Sequence, residues 1–381
     1  MSPTLSRQEA VHLLKHAPLG ELMAQADQLR RQLHPAREVT FVVDTNPNYT
    51  NICVTDCTFC SFFRKPNDPS GYVTSPDELA ARIEVAHQHG ATTALIQGGH
   101  HPSLTWDYAR GLIEAIQRRT PAIHIHPFSP SEISHFATTS GMTIEAVLAD
   151  MWALGIRSIP GGGAEILVDR VRRKLAPKKL KSAEWLGVMR AAHRAGFKTS
   201  ATMTYGHVET PEEIVEHLFE LQHLQAETGG FYAFIPWSFK PGRSPLAKLV
   251  RSEASPTFYL RVIAIARLVL EGIPHIQASW FGEGVRAGQL ALFGGADDFG
   301  GVLLEENVLR EADHAIATSV ESVLDMIQQV GFVPVQRTTL YGRLRDYPAT
   351  ATPLQANVSP DFVRRRGRTI PIHSLTPESL S

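Results

Sequence analysis

Along the chain, short apolar runs alternate with longer stretches in which apolar residues recur every three or four positions. VTFVVD (39–44), TTALIQGG (92–99), AIHIHPFS (122–129), RSIPGGG (157–163), KTSATMTYG (198–206), FYAFIPWSF (231–239) and HIQASW (275–280) read as buried parallel strands. GADDFGG (295–301) reads as a weaker eighth. Helical patterns follow most of them. In PDELAARIEVAHQHG, Ser75 is a candidate N-cap ahead of Pro76, Leu79, Ile83 and Ala86 share one face, and Gly90 closes the helix. About eight such repeats without a dinucleotide fingerprint indicate an α/β chain. They favour a (β/α)8 TIM-type barrel over an open, doubly wound sheet. In a barrel the loops after the strands converge on one site. The unusual residues fall in those loops: three cysteines after the first strand, GGHHP after the second, FSP after the third and GGGAE after the fourth.

Residues 1–38 read as an N-terminal helical extension and 39–310 as the barrel. Residues 311–344 read as a C-terminal helix, ESVLDMIQQVG, and an extended element, FVPVQRTTLYG. From 345 to 381 the chain is rich in Pro, Ser and Thr, has no apolar period and is expected to be a poorly ordered tail. Its RRRGR run reads as solvated.

Charge narrows the partners. With 37 Lys and Arg against 38 Asp and Glu in 381 residues, the net charge of −1 gives no global field to attract nucleic acid or an anionic membrane. The N-terminus lacks the apolar stretch of a signal peptide, and no run of about 18 apolar residues occurs. A cytoplasmic protein with a small-molecule partner is the expectation.

All three cysteines, Cys53, Cys57 and Cys60, lie in TNICVTDCTFCSFFRK. Their odd number and the expected reducing compartment argue against disulfides. CxxxCxxC fits two metal chemistries. Structural zinc would need a fourth ligand, such as His100 or His126. A [4Fe-4S] cube held by three thiolates would leave one iron without a cysteine and so open to chemistry.

CVTDCTFC, with Phe59 before the last cysteine, resembles the signature of the radical S-adenosylmethionine (SAM) superfamily. The resemblance implies that Cys53, Cys57 and Cys60 hold a [4Fe-4S] cluster, that SAM binds its open iron, and that Phe59 lines the cluster loop. It further implies that Gln97-Gly98-Gly99-His100 occupies the turn that contacts the SAM amino group, with His100 where relatives carry a carboxylate. LIQGGHHP, HPFSPSEI, IPGGGAEILVDR, IPWSFKP, IPHIQASW and GADDFGG extend the likeness to the menaquinone-pathway branch over about residues 38–310. That branch contains dehypoxanthinyl futalosine cyclases, with aminofutalosine synthases and the deazaflavin FO synthases as near relatives. The segments fit the cyclases best. The activity implied is radical cyclisation of dehypoxanthinyl futalosine, with electrons from a one-electron reductant such as flavodoxin or ferredoxin. A structural zinc protein is the alternative of another class.

Other residues carry two readings each. Glu165 is either a ribose-contacting group of the cofactor site or part of a glycine turn. Glu209 lies in a GHVE element similar to one that relatives place near adenine, and also precedes an ordinary helix start at Thr210. Asp297 and Asp298 are candidate proton acceptors, with His100, or else caps. His124 and His126 face the same side of a strand. Arg64, Arg172 and Arg173 are candidate partners for a substrate carboxylate.

Overall fold

The computed structural model describes residues 5–314 and 318–347. Four helices begin with a hydroxyl residue followed by proline: Ser75-Pro76, Ser129-Pro130, Thr210-Pro211 and Ser255-Pro256. The hydroxyl accepts a backbone N–H of the first turn, and proline fills the position where no N–H is needed. Glu132 and Glu213 reach back to the N–H of Ser129 and Thr210, completing capping boxes.

Among the described residues ten strands form: β1 (Glu38–Asn46), β2 (Thr93–Ile96), β3 (His124–Pro127), β4 (Ser158–Ile159), β5 (Lys198–Tyr205), β6 (Phe231–Ser238), β7 (His275–Ile276), β8 (Asp298–Glu306), β9 (Val333–Arg337) and β10 (Arg343–Asp346). β1, β2 and β3 pair in parallel, β8 joins the other edge of β1, and β4 to β7 make a second parallel set. Two seams unite the sets. His124 Nε2 and His126 Nδ1 both lie 2.7 Å from Ser158 Oγ, linking β3 to β4. At the other seam, Gln277 bridges to Asp298 and the Ala278 N–H donates to the Asp298 carbonyl at 2.7 Å. Eight strands therefore encircle one lumen, and the pairing of β8 with β1 excludes an open sheet. Helices cover the outside. Leu79, Ile83, Leu112, Ile116 and Phe136 pack with Ala94, Ile96 and Ile125 of β2 and β3. The N-terminal helices, Arg7–His16 and Leu19–Leu33, dock on the same outer layer, where Leu22 and Ala26 meet Ala264.

Two boundaries differ from the sequence reading. The eighth strand starts at Asp298 and runs through the apolar VLL to Glu306, so its glycines are strand residues. The extended element after the barrel is a hairpin, β9 and β10, and it reaches Asp346; residues 348–381 of the expected tail lie outside the described residues. β9 pairs in parallel with Glu38–Phe41 of β1, on the edge that β2 takes higher up at Asp44 and Thr45. The hairpin thereby enters the N-terminal end of the barrel and closes its floor.

Candidate active site

One cavity of about 400 Å³ runs through the lumen. At its mouth stand Cys53, Cys57, Cys60 and Phe59, with Gln97, Gly98, Gly99 and His100 beside them. The cysteine loop is fixed by backbone hydrogen bonds, Cys53 N–H to Arg64 O at 2.9 Å, Val54 N–H to His100 O at 3.0 Å and Thr58 N–H to Leu175 O at 2.7 Å. His100 N–H donates to Cys53 Sγ at 3.3 Å. The two glycines are required by close approach: a Cβ on Gly98 would stand 2.6 Å from the Tyr49 ring, and one on Gly99 2.2 Å from the Ile52 carbonyl. Glu132 supports this turn from the first turn of the helix after β3 (Pro130–Ser140), accepting from Gly98 N–H and Tyr49 Oη at 2.9 Å each.

The donor set fits a cluster better than zinc. Tetrahedral zinc with Zn–S bonds of ~2.3 Å brings its sulfurs to about 3.8 Å from one another. Among the described residues, the set of three His, Cys, Asp or Glu ligand atoms all within 4.8 Å of one another is His34, His275 and Asp297, which contains no cysteine. Three thiols spread over one cavity wall suit a cube, where each binds a different iron. Burial pushes the Cys57 thiol up to about 11, while Lys179 pulls it the other way. His100 is stacked on His135 at 4.8 Å, and burial first, then Lys179, holds it well below the usual imidazole range. It is a neutral ring at neutral pH.

Phe59, Gln97, Gly98, Gly99 and His100 thus meet the cysteines in one cavity, and Glu165 does not line it. The Glu165 carboxylate turns to Lys179 at 3.0 Å and Arg172 at 3.4 Å; burial pushes its pKa up, but the two cations outweigh that and lower it. Asp297 and Asp298 also lie outside the cavity lining. Asp297 accepts from Arg267 Nη2 at 2.5 Å, Ile276 N–H at 2.8 Å and His275 Nδ1 at 2.6 Å. Burial opposes its ionisation, yet these partners hold it at about 2. A carboxylate so engaged is a strut between strands. Asp298 is clasped by Nε and Nη2 of Arg337, with Thr40 Oγ1 at 2.6 Å and Gly300 N–H at 3.0 Å. Glu209 binds the N–H groups of Gly206 and His207 in its own loop.

Arg64 is bonded to Glu311 and Arg172 to Glu165, and neither they nor Arg173 reach the cavity lining. The lumen cations are Lys179, Lys240 and Arg337. Arg337, Thr339 and Tyr341 come from the hairpin and its turn, which the sequence reading placed outside the site. The Arg337 guanidinium lies 4.0 Å from the Tyr341 ring centre, and Tyr341 stacks on His275 at 3.6 Å. Strand alternation reaches only Arg337, the last residue of β9; Thr339 and Tyr341 lie in the turn before β10, where no periodic pattern marks them.

This cavity, with a three-thiol mouth on a (β/α)8 barrel, defines the class. A radical SAM superfamily model matches residues 47–221, and the chain belongs to that superfamily, with a [4Fe-4S] cluster and SAM as its cofactors. Within it the chain falls in the CofH/MqnC group, whose C-terminal region model matches residues 228–351. It is 40% identical over 331 residues to the 5-amino-6-(D-ribitylamino)uracil–L-tyrosine 4-hydroxyphenyl transferase of Methanopyrus kandleri, covering 84% of this chain and 90% of that one. It is 39% identical over 350 residues to the cyclic dehypoxanthine futalosine synthase of Streptomyces coelicolor, covering 91% and 87%. Among solved structures, methylornithine synthase (PylB) shares the fold, with a TM-score of 0.68 over 87% of this chain and 95% of that one at 18% identity. No helix among the described residues is long and apolar enough to cross a membrane.

Proposed function

We propose that the protein is a radical SAM cyclase that converts dehypoxanthinyl futalosine to its cyclic product in menaquinone biosynthesis. Cys53, Cys57 and Cys60 are the cluster ligands, and the Gln97–Gly99 turn with Phe59 seats SAM. When bound, the cluster and SAM supply a 5'-deoxyadenosyl radical, given one electron from a reductant of the flavodoxin or ferredoxin kind. The substrate loses hydrogen at C4', closes onto its benzoate ring and gives up one further electron and proton, leaving a product two hydrogens lighter. The chain's part is to orient the sugar against the mouth and to exclude water and stray hydrogen donors.

One observation carries the reading. The three segments that resemble the cyclases, HPFSPSEI, IPWSFKP and IPHIQASW, lie far apart in sequence, yet each contributes to the same lumen, through Ser129 and Glu132, Trp237 and Lys240, and Gln277. The tyrosine transferase of the archaeal relatives is the second reading, favoured by their 40–41% identity. C4'-deuterated dehypoxanthinyl futalosine with unlabelled SAM separates the two. The cyclase yields 5'-deoxyadenosine one mass unit heavier and a product that has lost the label. Turnover of 5-amino-6-(D-ribitylamino)uracil with tyrosine, and none of the futalosine substrate, overturns the cyclase and leaves the family untouched.

A further inference from the structure

The lower lumen holds polar atoms that the protein itself does not satisfy. Three carboxylates line the cavity: Asp44, Glu132 and Glu306. Both oxygens of Glu132 are used, by Gly98 N–H, Tyr49 Oη and Ser129. Both oxygens of Glu306 are used as well, by Asn46 Nδ2 and the N–H groups of Val308 and Leu309. Asp44 is different. Its Oδ1 has no hydrogen-bond partner among the described residues; the carboxylate's polar support within the protein is the Thr93 hydroxyl, which also shares a hydrogen bond with Thr339 Oγ1 at 2.7 Å. Asn46 Oδ1, two residues further along β1 toward the mouth and level with Glu306, and Tyr341 Oη on the hairpin below are likewise buried and unpartnered. Of the twelve such side-chain atoms among the described residues, these three belong to residues that line the cavity, where a ligand with several hydrogen-bonding groups can meet them.

Charge selects the kind of group. Arg337 is committed to Asp298 through Nε and Nη2, and its Nη1 donates to the Thr338 carbonyl at 3.1 Å. Asp44 is therefore the carboxylate that the lower lumen presents, and the guanidinium near it is already paired with Asp298 behind the lining. A ligand carboxylate placed there meets repulsion, whereas a neutral hydroxyl can donate to Asp44 without adding charge.

We propose that the lumen floor is a hydroxyl-recognition subsite in which Asp44, assisted by Asn46 and Tyr341, accepts hydrogen bonds from the vicinal hydroxyls of the substrate's sugar. The assignment of that sugar to dehypoxanthinyl futalosine rests on the cyclase reading; the ribityl chain of the alternative substrate presents the same chemistry. Asp44 positions the sugar so that its far side faces the cysteine mouth. Burial, opposed by Arg337, raises the Asp44 carboxyl to about 7, so its charged form lacks solvation that ligand hydroxyls would supply.

The test is a binding measurement that needs no turnover. The anaerobically reconstituted holoenzyme is titrated calorimetrically with dehypoxanthinyl futalosine and with its 2',3'-dideoxy counterpart, as wild type, Asp44→Asn and Asp44→Leu. Hydrogen bonds to a charged group predict that the wild type favours the hydroxylated ligand by roughly 10-fold or more. Asp44→Leu should bring that ratio to within about 3-fold of unity, with Asp44→Asn between, while iron content and SAM affinity stay at wild-type levels. If Asp44→Leu does not fold, the ratio in Asp44→Asn decides by the same comparison. An unchanged ratio in the variants overturns the subsite while leaving the cyclase standing. If only 5-amino-6-(D-ribitylamino)uracil binds, and loses affinity in the Asp44 variants more than its deoxyribityl counterpart does, the cyclase fails and the subsite stands. Binding of neither substrate overturns both.

Discussion

The two ends of the lumen are built in opposite ways. At the mouth, three thiols come from eight consecutive residues, and the glycine turn that abuts them lies fewer than fifty residues on. The floor is drawn from β1, β2, β8 and the hairpin, with Asp44, Thr93, Asp298, Arg337 and Tyr341 spread over nearly three hundred residues. On the reading proposed above, the mouth takes the cofactors common to the superfamily, for which a contiguous loop suffices. The floor would then meet the part of the substrate that differs among members, and a composite of distant strands can be altered there without disturbing the cysteine loop.

The largest effect that tests this division is at the mouth. Replacing Cys53, Cys57 or Cys60 singly by Ala should abolish both the cluster and SAM cleavage, measured as iron and sulfide content and 5'-deoxyadenosine formation after anaerobic reconstitution. A full cluster in any of the three variants removes that residue from the ligand set.

The floor should fail differently. Arg337→Met leaves the fully buried Asp298 carboxylate without its cation, a cost of about 3–5 kcal/mol that lowers Tm by roughly 4–7 °C in a chain of this length. Iron binding at the mouth should persist in the folded fraction. Combining it with Asp298→Asn should recover most of the lost stability, because the uncompensated charge is gone. A Tm unchanged by Arg337→Met would mean that the hairpin lies loosely under the barrel.

The smallest effect sharpens the view of Asp44. Its carboxyl is raised to about 7 in the folded protein against an ordinary value near 3.8, because burial disfavours the charge. The folded state therefore holds a proton that the unfolded state releases, so this group's contribution falls as pH rises from about 4 through 7. Asp44→Asn cannot ionise and escapes that loss. Parallel thermal melts should show the variant gaining on the wild type across that window, and a constant difference would mean that Asp44 is ionised throughout.

The same contrast explains what was legible in the sequence. The strands announced themselves because residues buried on both faces leave continuous apolar runs, and the S/T-P caps marked the helix starts. The mouth was legible because its three cysteines share one short loop, with a spacing that is local in the chain. Asp297 and Asp298 drew attention as adjacent acids, but each is tied down by an arginine distant in sequence, Arg267 and Arg337 respectively. Glu165 follows the same rule, its partners Arg172 and Lys179 lying beyond the loop that suggested a ligand role. Arg337, Thr339 and Tyr341 were missed because no local pattern says that a strand after the barrel pairs with the first strand inside it.

The pairing of β9 with β1 also orders events in time. A ribosome releases β1 long before β9, so an emerging chain can wind all eight barrel strands and still have a lumen open at its lower end. Only when the hairpin has left the exit tunnel and slotted beside Glu38–Phe41 does that bore become a blind cup. A chain halted between Glu306 and Val333 would hold the cysteine loop and all eight barrel strands but lack Arg337, Thr339 and Tyr341, the hairpin residues that line the lumen from below.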